Sequence, residues 1–163
     1  MKLRFPVIAL LGLLAASGLS AQTKSSGTVT CKSDPATPVA LTDRPNHAFL
    51  VGRAQCAWTG FEVGGLAAKD GISTDLDEIS GDQTTFRGYH VSTMSNGDKL
   101  VVRYQGSGKL KDGKPVSGGG TWTYVSGTGK LKGIKGKGTF KGTGDASGTT
   151  MTYKIDGEYS LPK

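Results

Sequence analysis

Val125-Ser126-Gly127-Thr128-Gly129-Lys130-Leu131-Lys132-Gly133-Ile134-Lys135-Gly136-Lys137-Gly138-Thr139-Phe140 is the stretch on which the reading of this chain turns. It reads as the end of one β-strand, a turn built on glycine, and the start of the next strand. Gly127, Gly129, Gly133, Gly136 and Gly138 lack a Cβ and can take positive φ at little cost. Leu131 and Ile134 are the only apolar side chains between Val125 and Phe140. They are expected to tuck under the turn and plug one end of a barrel. A flexible linker is the plainer alternative, but linkers seldom carry evenly placed aliphatics between β-branched and aromatic runs. A phosphate-cradling loop would need the GxxxxGK[ST] spacing and a following helix, and this stretch has neither.

The strands flanking the turn read as Thr121–Val125, with Trp122 and Tyr124 on one face, and Thr139–Thr143. Upstream, Thr84 to Gln105 reads as a hairpin around Asn96-Gly97, a strong signal for a two-residue type I′ turn. That turn places Ser95 opposite Asp98, Thr93 opposite Leu100, Val91 opposite Val102, Tyr89 opposite Tyr104 and Arg87 opposite Gly106. The pairs from Thr93/Leu100 to Arg87/Gly106 form the more apolar face and are expected inside. Met94/Lys99, Ser92/Val101, His90/Arg103 and Gly88/Gln105 are then expected outside. Thr149 to Leu161 alternates Met151, Tyr153, Ile155, Tyr159 and Leu161 against polar residues, so it reads as a strand with one buried side. Gly106-Ser107-Gly108-Lys109-Leu110-Lys111 nearly repeats Gly127–Lys132, but one repetition does not make a solenoid.

Nearer the N-terminus, Thr28–Lys32 and His47–Trp58 read as strands separated by a proline-bearing loop, Asp34–Pro45. Gln22–Ser26 is polar and expected to fray. Ile72 to Ile79, with Asp75, Asp77 and Glu78, reads as a solvated acidic loop. It lacks the glycine and the closing acid that a calcium-binding EF-hand requires, so no metal is expected. The 26 glycines, six prolines and scattered threonines fit many short strands and tight turns, and no stretch after residue 21 sustains an apolar helical repeat.

Residues 1–21 read as a secretory signal peptide: Lys2 and Arg4, an apolar run from Val7 to Leu14, then small residues before Gln22. The remaining residues, 22–163, read as one exported domain, periplasmic or extracellular, with no membrane span. The chain carries 20 basic and 13 acidic residues, net +7. Without Lys2 and Arg4 the balance is 18 against 13, net +5. The excess lies in glycine-rich lysine turns, which read as a solvated face that discourages strand-edge pairing, and nucleic acid is not an expected partner. Cys31 and Cys56 are the only cysteines, lie on consecutive expected strands and are expected to form a disulfide.

The pattern G-[ST]-G-x-[apolar]-x-G-[apolar]-x-G across Gly127–Gly136 resembles the tight connection of allene oxide cyclases and dirigent proteins. That resemblance implies an all-β fold, an antiparallel up-and-down β-barrel of about eight strands, with a β-sandwich as the alternative. It also implies trimers and a small apolar, phenolic or fatty-acid-like molecule in the lumen. The family's catalytic residues lie outside the matched turn, so none is carried onto this chain. The richness in glycine and lysine departs from the plant enzymes and looks more like a bacterial exported relative.

Three readings of function follow. The first is a barrel that binds a small, partly apolar molecule. The second is an isomerase or cyclase that works without a cofactor. A barrel filled by its own side chains and acting only through its surface is the third. The expected ligand-binding residues are Arg87, Tyr89, Tyr104, Trp122 and Tyr153, with Arg87 meeting an anionic group and the aromatics holding the apolar part. No catalytic set is visible in the sequence.

Overall fold

The computed structural model describes residues 22–162. The expected signal peptide lies outside the described residues. The chain forms β1 (Thr23–Ser33), β2 (Val39–Ala40), β3 (His47–Thr59), β4 (Glu62–Val63), β5 (Leu66–Ser80), β6 (Gln83–Met94), β7 (Lys99–Lys111), β8 (Lys114–Gly127), β9 (Lys135–Gly144) and β10 (Thr150–Ser160). A single 3-10 turn, Gly129–Leu131, stands between β8 and β9. The strands run in the order β3-β1-β10-β9-β8-β7-β6-β5, and β3 pairs with β5 to close the ring. The result is an eight-stranded antiparallel barrel with β2 and β4 as short additions. Apart from those additions, strands adjacent in the chain are adjacent in space, which is the up-and-down topology. Closure removes the free edges that a sandwich would keep.

One end of the barrel is sealed. Phe61, Val63, Leu66, Met94, Leu100, Leu131 and Ile134 pack there as buried apolar side chains, with Val63 and Leu131 wholly shielded. The glycine stretch builds this plug as its sequence implies. Leu131 N–H donates to Thr128 O (2.9 Å) and Ile134 N–H to Leu131 O (3.1 Å), which folds both aliphatics inward. Gly129 (φ 49°) and Gly133 (φ 77°) occupy the left-handed region, where a side chain would be strained. At Gly138 the requirement is different: a Cβ would collide with the Trp122 indole. The opposite end, ringed by segments 34–46, 81–82, 112–113 and 145–149, is the mouth.

The Asn96-Gly97 hairpin forms in another register. Met94 N–H donates to Asp98 O (2.8 Å) and Gly97 N–H to Met94 O (2.9 Å), so Ser95-Asn96-Gly97 is a three-residue loop. Only Gly97 takes positive φ (89°), whereas a type I′ turn needs it at Asn96 as well. The Asp98 carboxylate selects this form. It accepts from Asn96 Nδ2 (2.8 Å), Thr128 Oγ1 (3.3 Å) and Lys130 N–H (3.1 Å), tying the hairpin to the central turn. Tyr89 therefore faces Arg103, and Gly88 faces Tyr104. A slip of one residue reverses every side chain of one strand. On β7 the inner set stands as expected, but on β6 it is reversed.

Two further expectations are corrected. Ile72–Ile79 is the core of β5, held between β3 and β6 along its length, and no solvated loop. Thr23–Ser26 is paired with β10 from Thr23↔Tyr159 onward, so the backbone there is held by a neighbour and does not fray.

Cys31 and Cys56 are bonded directly across β1 and β3. The bridge closes a loop of sequence separation 25 and contributes about 3–4 kcal/mol in the chain-entropy account. Cys31→Ala/Cys56→Ala is expected to lower the unfolding free energy from urea titration by that amount while leaving the sheet spectrum by circular dichroism unchanged. A loss under about 1 kcal/mol would show that the loop is held by other contacts.

Candidate functional site

Above the plug the barrel holds a cavity of about 500 Å³. Its size comes from the alternation of large and absent side chains around each layer. One row of cross-strand neighbours reads Gly52, Asp75, Gly88, Tyr104, Trp122, Gly138, Gly157. Gly88 lets Tyr104 reach past its neighbouring strand to Asp75, and Gly138 and Gly157 receive the Trp122 ring.

Aromatic rings form one wall. Phe140 lies 6.1 Å from both Phe86 and Tyr104 and 5.6 Å from Tyr153, centroid to centroid. Leu50, Ala54, Val29, Val102, Met151 and Ile155 complete the apolar lining.

Against this wall stand two carboxylates. In β5 the inward positions are Ser73, Asp75, Asp77 and Ile79, every second residue. The Tyr104 hydroxyl donates to Asp75 Oδ2 at 2.7 Å. A Cβ at Gly52 would collide with the Asp75 carboxylate and come within 3.4 Å of Asp77 Oδ2, so both acids converge on the space that this glycine leaves. Burial, and then the charge of Asp75, push the Asp77 carboxyl up to about 7. Burial also raises Asp75, while the Tyr104 hydrogen bond pulls it back. Tyr104 is held far above its ordinary value by burial and the adjacent acid, and Tyr153 is pushed up to about 12 by burial and both carboxylates. At neutral pH the site therefore offers two carboxyl groups raised by burial, of which Asp77 stands near its titration point, and two neutral phenols.

Deeper in the lumen, Trp58 Nε1–H points to His90 Nε2 (3.3 Å) and Ser92 Oγ (3.1 Å). An indole N–H only donates, so Nε2 is the acceptor and the proton sits on Nδ1, facing Ser73 Oγ at 2.9 Å. Burial lowers His90 to about 4 and keeps it neutral. Because His90 donates to Ser73, the pair is not a serine nucleophile with its base.

The sequence-derived site residues divide between two faces. Tyr104, Trp122 and Tyr153 line the cavity. Arg87 and Tyr89 lie on the outer face of β6, with Tyr89 50% exposed. The register slip moved them there and put Phe86 and His90 inside. Arg87 borders a shallow outer groove with Phe49, Leu76 and Glu78 instead. The residues that sequence reasoning missed are Asp75, Asp77, Ser73 and His90. The signal for the acids was present as period-two spacing, Ser73-Asp75-Asp77-Ile79, opposite the aliphatic Ile72 and Leu76.

No protein-family model matches the chain, and no curated protein is significantly similar in sequence. Solved structures do match. The pterocarpan synthase dirigent protein GePTS1 superposes with a TM-score of 0.53 at 14% identity, over 88% of this chain and 92% of that one. The pterocarpan synthase dirigent protein PsPTS1 gives 0.52 at 15% identity, over 88% and 97%. At these identities the likeness is one of fold: the dirigent-like β-barrel that the central turn implied.

Proposed function

We propose that the barrel binds a small, largely apolar molecule in its lumen. One observation carries this reading: a cavity of about 500 Å³ with an aromatic wall and a few converging polar groups, sealed at one end and open at the other. Tyr104, Trp122 and Tyr153 belong to the proposed site. Arg87 and Tyr89 do not. The disulfide supports export, since such bonds persist in oxidising compartments. Among the described residues no helix is long and apolar enough to cross a membrane.

A second reading is favoured by the carboxylate pair. Two acids in one site with separated protonation states can act as base and acid on a single substrate. Asp77, near its titration point at neutral pH, can both take and give a proton, with Asp75 beside it as the second acid–base group. Tyr104 holds Asp75 in place through its single hydroxyl proton. This is the equipment of an isomerase or cyclase that uses no cofactor, as the resemblance implied. A fatty-acid-like ligand is disfavoured, because its carboxylate would meet Asp75 and Asp77.

The test uses a panel of neutral phenols and alkylbenzenes with fatty acids of equal length, read by native mass spectrometry and by emission of the lumenal Trp58 and Trp122. Neutral aromatics are expected to bind one per barrel and fatty acids more weakly. Gly52→Val places a strand-favouring side chain against Asp75 and inside the cavity. It should weaken binding at least tenfold with the fold retained. Absence of binding across the panel, or unchanged affinity in the variant, would rule out the lumenal site.

A further inference from the structure

We propose that the lumen selects molecules with an apolar or aromatic body that ends in an organic ammonium group. The inference rests on the lumenal reading above and adds the ligand's charge class.

The cavity wall is one-sided in charge. Asp75 and Asp77 point into it from β5, and among the described residues its only cationic side chain is Arg53. That guanidinium is engaged by Asp34 in an ion pair at the mouth. From β6 the titratable group facing the lumen is His90, which Trp58 and Ser73 hold as a neutral ring. From β7, β8 and β10 the corresponding groups are the phenols Tyr104, Tyr124 and Tyr153. Nothing positive therefore approaches the two carboxylates from any packed strand. Tyr104 satisfies one oxygen of Asp75.

The neighbouring wall suits the same guest. Phe86, Tyr104, Phe140 and Tyr153 form a continuous aromatic surface, with centroids 5.6–6.3 Å apart in adjoining pairs. Ring faces attract cations most strongly where water is excluded. Side-by-side carboxylates repel, and an ammonium group between them turns that repulsion into attraction. A neutral group of the same shape gains neither term. An anionic group loses on both.

The experiment compares benzyltrimethylammonium with its neutral isostere neopentylbenzene and with phenylacetate, by Trp58 and Trp122 emission at pH 8 and pH 5. At pH 8 the cation is expected to bind at least tenfold tighter than the isostere, with phenylacetate weakest. The cation's affinity should fall several-fold at pH 5, where Asp77 is protonated, while the isostere's stays level. Asp75→Asn/Asp77→Asn should abolish the preference. Equal binding of cation and isostere overturns the charge assignment and leaves the lumenal reading standing. Binding by none of the three overturns both. A preference that persists unchanged at pH 5 in the wild-type protein, or that survives in the double variant, also overturns the proposal, because it places charge recognition elsewhere.

Discussion

Asp77→Asn is expected to make the protein more stable at pH 8, by about 2–3 kcal/mol, and to change it little at pH 4. In the folded chain the Asp77 carboxyl is raised to about 7 from an ordinary 3.8. Below pH 4 both states hold the proton and nothing depends on it. Between pH 4 and 7 the unfolded chain releases the proton while the folded chain keeps it, so stability falls as pH rises. Above 7 the loss is complete. The full shift corresponds to roughly 4 kcal/mol, and contact of the group with water at the mouth reduces it. Asp75, also raised by burial, acts in the same direction. His90 acts in the opposite one: held near 4, it is neutral in the fold while the unfolded chain takes up a proton below about 6.5. That costs stability as pH falls from 6.5 to 4.

His47 contributes at the other end of the range. Its Nδ1 meets Asp43 Oδ1 (2.7 Å) and its Nε2 meets Glu78 Oε1 (2.9 Å), and these bonds raise its pKa. Its stabilisation is present at low pH and lost as pH climbs through the raised value. The wild-type profile should therefore be shallow from pH 4 to 6.5, where Asp77 and His90 oppose each other, and fall above it. In Asp77→Asn the lower limb should rise with pH, because His90 acts with less opposition. Urea unfolding at pH 4, 6 and 8 checks both limbs. A variant less stable than wild type at pH 8 would mean that Asp77 is ionised and well satisfied in the fold.

How much of this was legible in the sequence depended on whether the deciding contact was local. The plug was legible because Leu131 and Ile134 sit within one glycine-built turn whose inward fold is fixed by hydrogen bonds between residues three apart. The disulfide was legible because the two cysteines lay on strands that had to be neighbours. The hairpin register was not. Asn96-Gly97 taken alone favours a two-residue turn, but Asp98 bonds to Thr128 and Lys130, some thirty residues away. That distant contact set the loop length, and with it the face on which Arg87, Tyr89 and His90 stand. The acids of β5 were hidden for a related reason. Aspartate is depleted in strands, so Asp75 and Asp77 argued for a loop. Pairing with both neighbouring strands, and the room left by Gly52 and Gly88, overrode that preference. The site was thus least readable where a local rule is broken, and breaks of that kind are concentrated at functional positions.

The two near-identical segments Gly106–Lys111 and Gly127–Lys132 give the last expectation. Leu110 and Leu131 occupy equivalent places in them, so sequence alone assigns them equal weight. The fold does not. Leu110 is partly exposed at the open mouth, beside the turn that joins β7 to β8. Leu131 is wholly buried over the sealed end, its side chain lying near Gly64 and its backbone against Gly127. Truncating Leu131 leaves a cavity beside Ile134 of the same turn and among Val63, Met94 and Leu100, which are held by three separate strands and cannot close over it together. Leu131→Ala should therefore cost about 3–5 kcal/mol, the range for a leucine lost from a rigid core. Leu110→Ala should cost about 1 kcal/mol or less, because solvent already reaches its side chain. The difference should appear as a melting temperature lower by roughly 8–15 °C for the first variant and by only a few degrees for the second. Equal losses would show that the central turn is no more than a connection between strands, and that the barrel is sealed by the strands' own residues.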